Sequence, residues 1–183
     1  MTRALLDLKP TLRLDLKDGA YLRPLQAPDV TTAYADGLND PKVHRYMEAP
    51  RKQRQTLEGV RAYVAANAAD AHAILFGLYV GEILRGTVRL HDVDTGRGTA
   101  TVGIALFDRR VWGHGLGSAA IAAVARYATG ELGLIRLEAG IIAANRGSIQ
   151  AVENAGFRRA GDKPADPELG PVGLWVLEAL PSR

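Results

Sequence analysis

The sequence predicts a single α+β domain in which a mixed, mostly antiparallel sheet carries helices on both faces. Its 183 residues, 47% hydrophobic and 23% charged, are ordinary for one globular domain. Three alternating apolar runs, residues 72–80, 83–91 and 99–107, are separated by short turns rich in glycine and aspartate. Short turns join antiparallel strands, whereas the later strands are separated by helices, so both kinds of pairing are expected.

The N-terminal third is predicted to contain one clear strand followed by three helices. Pro24 and Pro28 stop the strand. Asp29 and Thr56 stand where side chains cap the first and third helices. The predicted elements are an edge strand or loosely attached arm over residues 5–16, within an N-terminal arm of residues 1–19, a strand over 20–25, and helices over 30–38, 42–47 and 57–69.

The C-terminal half is predicted to alternate helices and strands. Residues 119–126 are rich in alanine, a strong helix former, and follow a glycine-rich loop. The predicted elements after this helix are a strand over 135–143, a helix over 148–154, and strands over 157–160 and 172–180. No internal repeat or low-complexity linker divides the chain, which is therefore interpreted as one domain over residues 1–183.

Charge and composition exclude several classes of protein. The net charge of +3 is too small and too scattered to predict nucleic-acid binding. The longest apolar run, residues 73–80, is too short to cross a bilayer, and the N-terminus does not resemble a secretory signal. A cytoplasmic protein without a membrane partner is therefore expected. The lack of cysteine excludes disulfides, thiolate metal sites and a cysteine nucleophile.

One basic cluster interrupts this even distribution of charge. Arg51, Lys52 and Arg54 follow one another closely before the third helix. A run of this kind is most often a solvated loop. The alternative is that it holds an anionic acceptor.

Three glycines at alternate positions predict an anion-binding loop. Gly113, Gly115 and Gly117 lie between a strand and a helix, with Ser118 closing the loop. Backbone N–H groups at the start of a helix, with the helix dipole behind them, bind anions, and glycine lets the chain approach closely. A P-loop is excluded because no lysine follows the glycines, and the spacing differs from that of a dinucleotide fingerprint.

Two separated motifs carry a family resemblance. The first is RxxGxG at residues 110–115, and the second is NxxS at residues 145–148, with Gly156 and Phe157 at the end of the next helix. Together they resemble the two cofactor-binding motifs of the GNAT superfamily of acetyl-CoA-dependent N-acetyltransferases. The resemblance covers roughly residues 21–180, and it implies a GNAT-type sheet.

The N-terminal stretch is similar to one branch of that superfamily. Residues 22–25, 39–46 and 56–58 follow the pattern of the RimJ/RimL-like branch, which acetylates protein N-termini. They are also similar to relatives that acetylate nucleotide-activated sugars. The resemblance implies acetyl-CoA as cosubstrate and an amine as acceptor, with a protein N-terminus first and an amino sugar, nucleotide sugar or other small amine second.

The resemblance also implies which residues bind the cosubstrate. Leu106 and its neighbours would offer main-chain bonds to the pantetheine arm where the strand diverges from its neighbour near a bulge, and a main-chain N–H there would polarise the thioester oxygen. Asn145 would bond the pantetheine amides, its alternative role being that of a turn former. The diphosphate would be held by Arg110, Gly113, Gly115, Gly117 and Ser118.

The catalytic groups follow from direct attack of the amine on the thioester, which needs a proton acceptor and a proton donor. Val152 stands where many GNAT enzymes place a tyrosine acid, so the resemblance implies Ser148 instead, whose alternative role is to cap a helix. Thr101 stands where some relatives place a glutamate base, which leaves Glu138, His91 or Asp92, or a water chain.

Two features of the protein stay open at this level. A domain of this kind that binds CoA as a sensor, without turnover, remains an alternative to an enzyme because both the tyrosine and the glutamate are replaced. The sequence does not decide the oligomeric state, and a homodimer is one alternative. His44, His72 and His114 have no metal-ligand spacing, so no metal site is expected.

Overall fold

A computed structural model describes residues 11–179 and contains one eight-stranded sheet flanked by helices. The strand order is β1-β2-β3-β4-β5-β6-β8-β7. The strands are β1 (Leu14–Asp15), β2 (Ala20–Pro24), β3 (Ile74–Val80), β4 (Ile83–Asp94), β5 (Thr99–Ala105), β6 (Arg136–Ile142), β7 (Arg158–Asp166) and β8 (Gly170–Glu178). The helices are α1 (Thr32–Leu38), α2 (Pro41–His44), α3 (Glu48–Lys52), α4 (Leu57–Ala69), α5 (Leu116–Gly130) and α6 (Arg146–Asn154). The first ten residues, where the predicted arm begins, lie outside the described part of the chain.

All neighbouring strands pair antiparallel except β5 and β6, which are parallel. The α+β fold class and the mixed, mostly antiparallel sheet expected from the sequence are confirmed. Helix α5 makes the connection between the two parallel strands, which cannot be joined by a tight turn. The sequence placed the three central strands within two or three residues of their observed ends.

Buried apolar side chains form two clusters, one on each face of the sheet. Strand β3 supplies both, because its neighbouring residues Leu75 and Phe76 point to opposite faces and both are buried. The α5 face is the larger cluster and packs Phe76 and Val124 together. The α1–α4 face packs Leu75 with Tyr34 and Val64, but this cluster contains no residue of β5 or β6. The apolar packing of α1–α4 therefore does not extend over the two parallel strands.

Two N-terminal predictions were wrong in detail. Asp29 does not cap a helix from residue 30, because its carboxylate accepts two 2.8 Å hydrogen bonds from Arg23 and α1 begins two residues later, after Thr31. The predicted helix over 42–47 is shorter and is followed by an unpredicted one, α3, because Met47 is extended between them. Thr56 does cap α4, where its hydroxyl accepts from the Gly59 N–H at 3.0 Å.

The basic cluster is also placed differently from the expected solvated loop. Arg51 and Lys52 form the C-terminal turn of α3, where positive charge suits the helix dipole. Both contact Glu168 in the β7–β8 turn, and Arg51 does so at 2.6 Å. Within residues 11–179, no helix is long and apolar enough to cross a membrane.

Candidate active site

A cleft opens where β5 and β6 separate. The two strands pair in register only from Thr99 with Arg136 to Thr101 with Glu138, although both continue for four more residues. The space between their free ends belongs to a cleft of about 940 Å³. Its walls come from β5, β6, the glycine loop, the start of α6 and the segment around α2. Unpaired strand edges provide main-chain donors and acceptors for an extended ligand.

The N-terminus of α5 faces this cleft without a cap. Gly115 occupies the N-cap position in the left-handed conformation with φ +74°, and no side chain accepts a hydrogen bond from the first turn. Among the described residues, no group accepts from the backbone N–H groups of residues 115–118, which all line the cleft. The first turn also contains no acidic residue. The sequence therefore builds an open anion site at the start of a 15-residue helix.

The other glycines of the loop have separate roles. Gly113 is exposed, with φ +76°, and an added Cβ would meet no atom within 4 Å, so its backbone conformation is what requires glycine. Gly117 is buried in the first turn of α5 between Ile104 and Ala151. Ser118 is partly buried and lines the cleft. The structure thus brings together four predicted anion-binding residues, Gly113, Gly115, Gly117 and Ser118.

Arg110 does not join them. Its guanidinium donates to both carboxylate oxygens of Asp108, at 2.9 and 2.8 Å, and it is not part of the cleft lining. Arg85 contacts the same carboxylate from β4. The hydrogen bonds from Arg110 and Arg85 hold the pKa of Asp108 well below its usual range. Asp108 therefore anchors the loop to the sheet with Arg110 as one of its partners.

Leu106 lies at the free end of β5 and lines the cleft as expected. Its carbonyl oxygen accepts a 2.9 Å hydrogen bond from the indole Nε1–H of Trp112. Trp112 also lines the cleft, and 39% of its surface is exposed. This contact ties the glycine loop to the end of β5.

Asn145 and Ser148 meet at the start of α6, and both line the cleft. Asn145 is the N-cap, because its side-chain oxygen accepts from the Ser148 backbone N–H at 3.2 Å. Asn145 therefore caps α6, and the alternative role of Ser148 as the helix cap is excluded. Among the described residues, no group is hydrogen-bonded to the Ser148 hydroxyl, which remains available at the cleft.

Glu138 lies at the closed end of the divergence and outside the cleft lining. Its carboxylate accepts a 3.0 Å hydrogen bond from Arg136, and the ammonium of Lys163 lies 3.8 Å away. Lys163 reaches it across Gly140, where a Cβ would come within 3.3 Å of the lysine side chain. The surface-type ion pair that a strand glutamate commonly makes is therefore present.

His91 and Asp92 form a second polar pair at the same level of the sheet. His91 pairs with Thr101 across β4 and β5, and its Nδ1 lies 2.8 Å from the Asp92 carboxylate. Asp92 sits in a bulge with φ +51°, a conformation that few non-glycine residues adopt. Burial, with the positive charges of Arg89 and Lys163, lowers the pKa of His91. Its imidazole is neutral at neutral pH.

The sequence did not predict that one N-terminal segment lies across the cleft. Residues 40–46, called the bridge segment below, are held at both ends by residues distant in sequence. Asp40 contacts Arg109 after β5 at 3.3 Å, and the Tyr46 hydroxyl donates to the Ala144 carbonyl after β6 at 3.0 Å. The bridge segment spans the gap between the diverging strands.

The cleft can therefore hold an anion at one end and an extended chain along its strands. The charged side chains in its lining are Lys42, Arg45 and Arg146, and the described lining residues include no aspartate or glutamate. No group of three or more described His, Cys, Asp or Glu side chains could hold a metal ion. The described lining is therefore basic, and it contains the Ser148 hydroxyl, which has no hydrogen-bond partner among the described residues.

Comparison with known proteins identifies relatives of the same architecture. A sequence profile described as "Acetyltransferase (GNAT) domain" matches residues 20–158. A "Probable N-acetyltransferase YjcK" of Bacillus subtilis (strain 168) is 38% identical over 103 residues, 55% of each protein, so the chain spans about half the length of this curated relative.

Two solved structures share the fold over nearly the whole chain. Mycobacterium smegmatis RimJ in complex with CoA-disulfide has a TM-score of 0.77, with 20% identity over 93% of this chain and 88% of that one. RimL, a ribosomal L7/L12 alpha-N-protein acetyltransferase in complex with coenzyme A, has a TM-score of 0.78, with 16% identity over 91% and 98% of the two chains.

Proposed function

The chain belongs to the GNAT family of acetyltransferases, in its RimJ/RimL-type branch, and we propose that it transfers the acetyl group of acetyl-CoA to a primary amine. One observation carries the proposal. The uncapped start of α5 opens onto the gap between the diverging ends of β5 and β6. An anion site that continues into an extended groove matches the shape of a diphosphate joined to a pantetheine arm.

Binding would rest mainly on the main chain. The N–H groups of residues 115–118 would hold the diphosphate, and Gly113 would let the loop turn towards it. The free edge of β5 at Leu106 and the side-chain amide of Asn145 would bond the arm. Arg110 would contribute through the loop that Asp108 anchors, since its guanidinium is already engaged. A main-chain N–H of β5 would polarise the thioester oxygen.

The reaction needs no covalent enzyme intermediate. The amine nitrogen attacks the thioester carbon, a C–N bond forms, the C–S bond breaks, and the sulfur takes a proton from the Ser148 hydroxyl. The ammonium proton of the adduct passes to a base, and a proton from water restores the serine. Ser148 suits the acid role because Asn145 performs the capping and leaves its hydroxyl without a described partner.

Two groups are candidates for the base. Glu138 is one, but its carboxylate is occupied by Arg136 and Lys163. The neutral imidazole of His91, oriented by Asp92, is the other, and both lie beside Thr101 at the closed end of the divergence. The lowered pKa of His91 keeps its imidazole unprotonated and able to accept a proton near neutral pH.

We propose a protein N-terminal amine as the acceptor. The described cleft lining carries no carboxylate, so it offers no acidic wall for a polycationic amine such as an aminoglycoside. An amino sugar, a nucleotide sugar or another small amine is the second candidate. The acceptor would approach between the bridge segment and the α1–α4 face of β5 and β6, where a Cβ at Gly103 would meet nothing within 4 Å.

The proposal is tested by mixing the protein with acetyl-CoA and a panel of peptides and small amines. Release of free thiol together with a one-acetyl mass increase of the acceptor supports transfer. Binding of CoA without thiol release would contradict it and would favour a sensor. A Ser148→Ala variant should lower kcat by about tenfold to a hundredfold while CoA affinity changes less than twofold. A Ser148→Thr variant, which keeps a hydroxyl, is the matched control, and unchanged kcat in Ser148→Ala would contradict the acid role.

A further inference from the structure

The charges in the cleft fall into two groups on different elements. Arg146 is the first residue of α6, beside the diphosphate site at the start of α5. Lys42 and Arg45 instead belong to the bridge segment, whose ends are fixed to the loops after β5 and β6. None of the three has an ion-pair partner among the described residues, and neither does Arg54 outside the cleft.

Four carboxylates of the surrounding segments have cationic partners. Asp40 contacts Arg109, Glu48 contacts Lys52, and Glu168 contacts both Arg51 and Lys52. Glu138 is held between Arg136 and Lys163. Lys42 and Arg45 are the cations of the bridge segment that line the cleft without an ion pair to a described residue, and they contribute a positive potential there.

Building on the proposed function, we infer that the accepted protein N-terminus carries acidic side chains directly after its terminal residue, and that Lys42 and Arg45 select it. The carrier does not need these two cations, because the unpaired N–H groups of α5 already supply its anion site. An acceptor that enters under the bridge segment passes Lys42 and Arg45 on its way to the thioester. Acidic residues would be attracted there and lysines repelled.

Because both ends of the bridge segment are anchored, its two cations should discriminate more strongly between acidic and basic peptides. Two exposed cations on a mobile loop would contribute little, because ordering their side chains offsets the attraction. Here the backbone beneath them is anchored at Asp40 and at Tyr46, and the Arg45 guanidinium lies 5.4 Å from the Tyr46 ring centre. Less entropy is then lost when an acidic peptide binds.

The experiment compares three peptides that differ only in charge, beginning Ser-Asp-Asp, Ser-Asn-Asn and Ser-Lys-Lys. We expect kcat/KM to fall about fivefold to tenfold at each step from acidic to neutral to basic, through KM, and the differences to shrink at high salt. The double variant Lys42→Glu and Arg45→Glu should reverse the order of the peptides while CoA affinity by calorimetry changes less than twofold. Arg54→Glu makes the same charge change at one residue outside the cleft, half the change of the double variant, and should leave the order intact.

The outcomes separate this inference from the proposed function. Transfer to all three peptides at similar rates, or a reversal produced equally by Arg54→Glu, would overturn the charge selection alone. Loss of CoA affinity in the double variant would also overturn it, by assigning the two cations to the carrier. If only a nucleotide-linked amino sugar is acetylated, or no amine at all, the peptide acceptor itself is overturned.

Discussion

The two walls of the cleft recognise their ligands by different means. The wall built from β5, the glycine loop and α5 offers backbone N–H groups and glycines, and its residues follow one another in the chain. The other wall, the bridge segment, presents charged side chains. Its two ends are held by contacts with residues that lie 69 and 98 positions away in the sequence. The first wall suits a ligand of constant chemistry, and the second can change with the acceptor.

This difference has a physical origin. Main-chain recognition depends on φ and ψ, so it requires glycine at fixed spacing and tolerates few substitutions. Side-chain recognition depends on which residues the fold brings together, and each exposed pair contributes little energy. Family members can therefore share the first wall while differing at the second.

The largest effect is expected from Gly115→Glu, which places a carboxylate where the diphosphate would lie. Affinity for CoA, measured by calorimetry, should fall on the order of a thousandfold, about 4 kcal/mol. Gly133→Glu is the matched control, since Gly133 also has φ +68° and open space around its Cβ but lies away from the cleft. Both variants should lose similar stability. Micromolar CoA affinity in Gly115→Glu would contradict the anion site.

Asp108→Asn tests whether the loop of the first wall depends on an ion-pair anchor. The side chains of Asp108 and Arg85 are only 13% and 17% exposed, so removing the charge should cost about 2–3 kcal/mol of unfolding free energy. The folded pKa of Asp108 is lowered, so its contribution is complete above the unfolded pKa of about 4 and is lost progressively as the pH falls from there through the folded pKa.

Urea titrations between neutral pH and about pH 3 check this sign. The difference in stability between the wild type and Asp108→Asn should shrink as the pH falls. Asp162→Asn is the control, because Asp162 and Arg159 are 69% and 54% exposed and their pair should contribute less than about 0.5 kcal/mol. A constant difference across this range would show that the carboxylate charge is not what stabilises the loop.

A smaller effect is expected from loss of the Tyr46 contact that holds one end of the bridge segment. Tyr46→Phe removes the hydrogen bond to Ala144 and should cost about 1 kcal/mol of stability. Release of one end of the bridge segment should raise KM for the acceptor about threefold, through the added cost of ordering it, while KM for acetyl-CoA stays within twofold. Tyr63→Phe, at an exposed tyrosine of α4, should change neither. An equal rise in both KM values would place the bridge segment in carrier binding instead.

The features that the sequence predicted correctly belong mostly to the first wall, where recognition depends on local patterns in the chain. The strands, the helix after the glycine loop and the cap at Thr56 depend on local patterns, and the structure has them. The positions of Gly113, Gly115 and Gly117 at the start of α5 were predicted because these glycines directly precede or begin the helical stretch of the sequence. The RxxGxG pattern gave no sign that Asp108, two residues before Arg110, would engage its guanidinium.

The contacts across the cleft could not be predicted from one sequence. Tyr46 and Ala144, or Arg51 and Glu168, become neighbours only after the strands have taken their order in the sheet. Asp29 was misplaced for a more local reason: Arg23 lies only six residues earlier in the chain, and the capping pattern did not show that its guanidinium would engage the carboxylate. Long-range ion pairs leave no periodic pattern in the chain.

Trp112, which is hydrogen-bonded to the Leu106 carbonyl at the cleft, is an intrinsic fluorescence probe of this site. The protein has two tryptophans, and Trp175 is only 3% exposed, whereas Trp112 is 39% exposed at the cleft. Any occupant that replaces water beside that indole, or competes for the Leu106 carbonyl, changes the surroundings of one chromophore and leaves the other as an internal standard. Occupancy of the groove between the strands can thus be followed by fluorescence emission without a label.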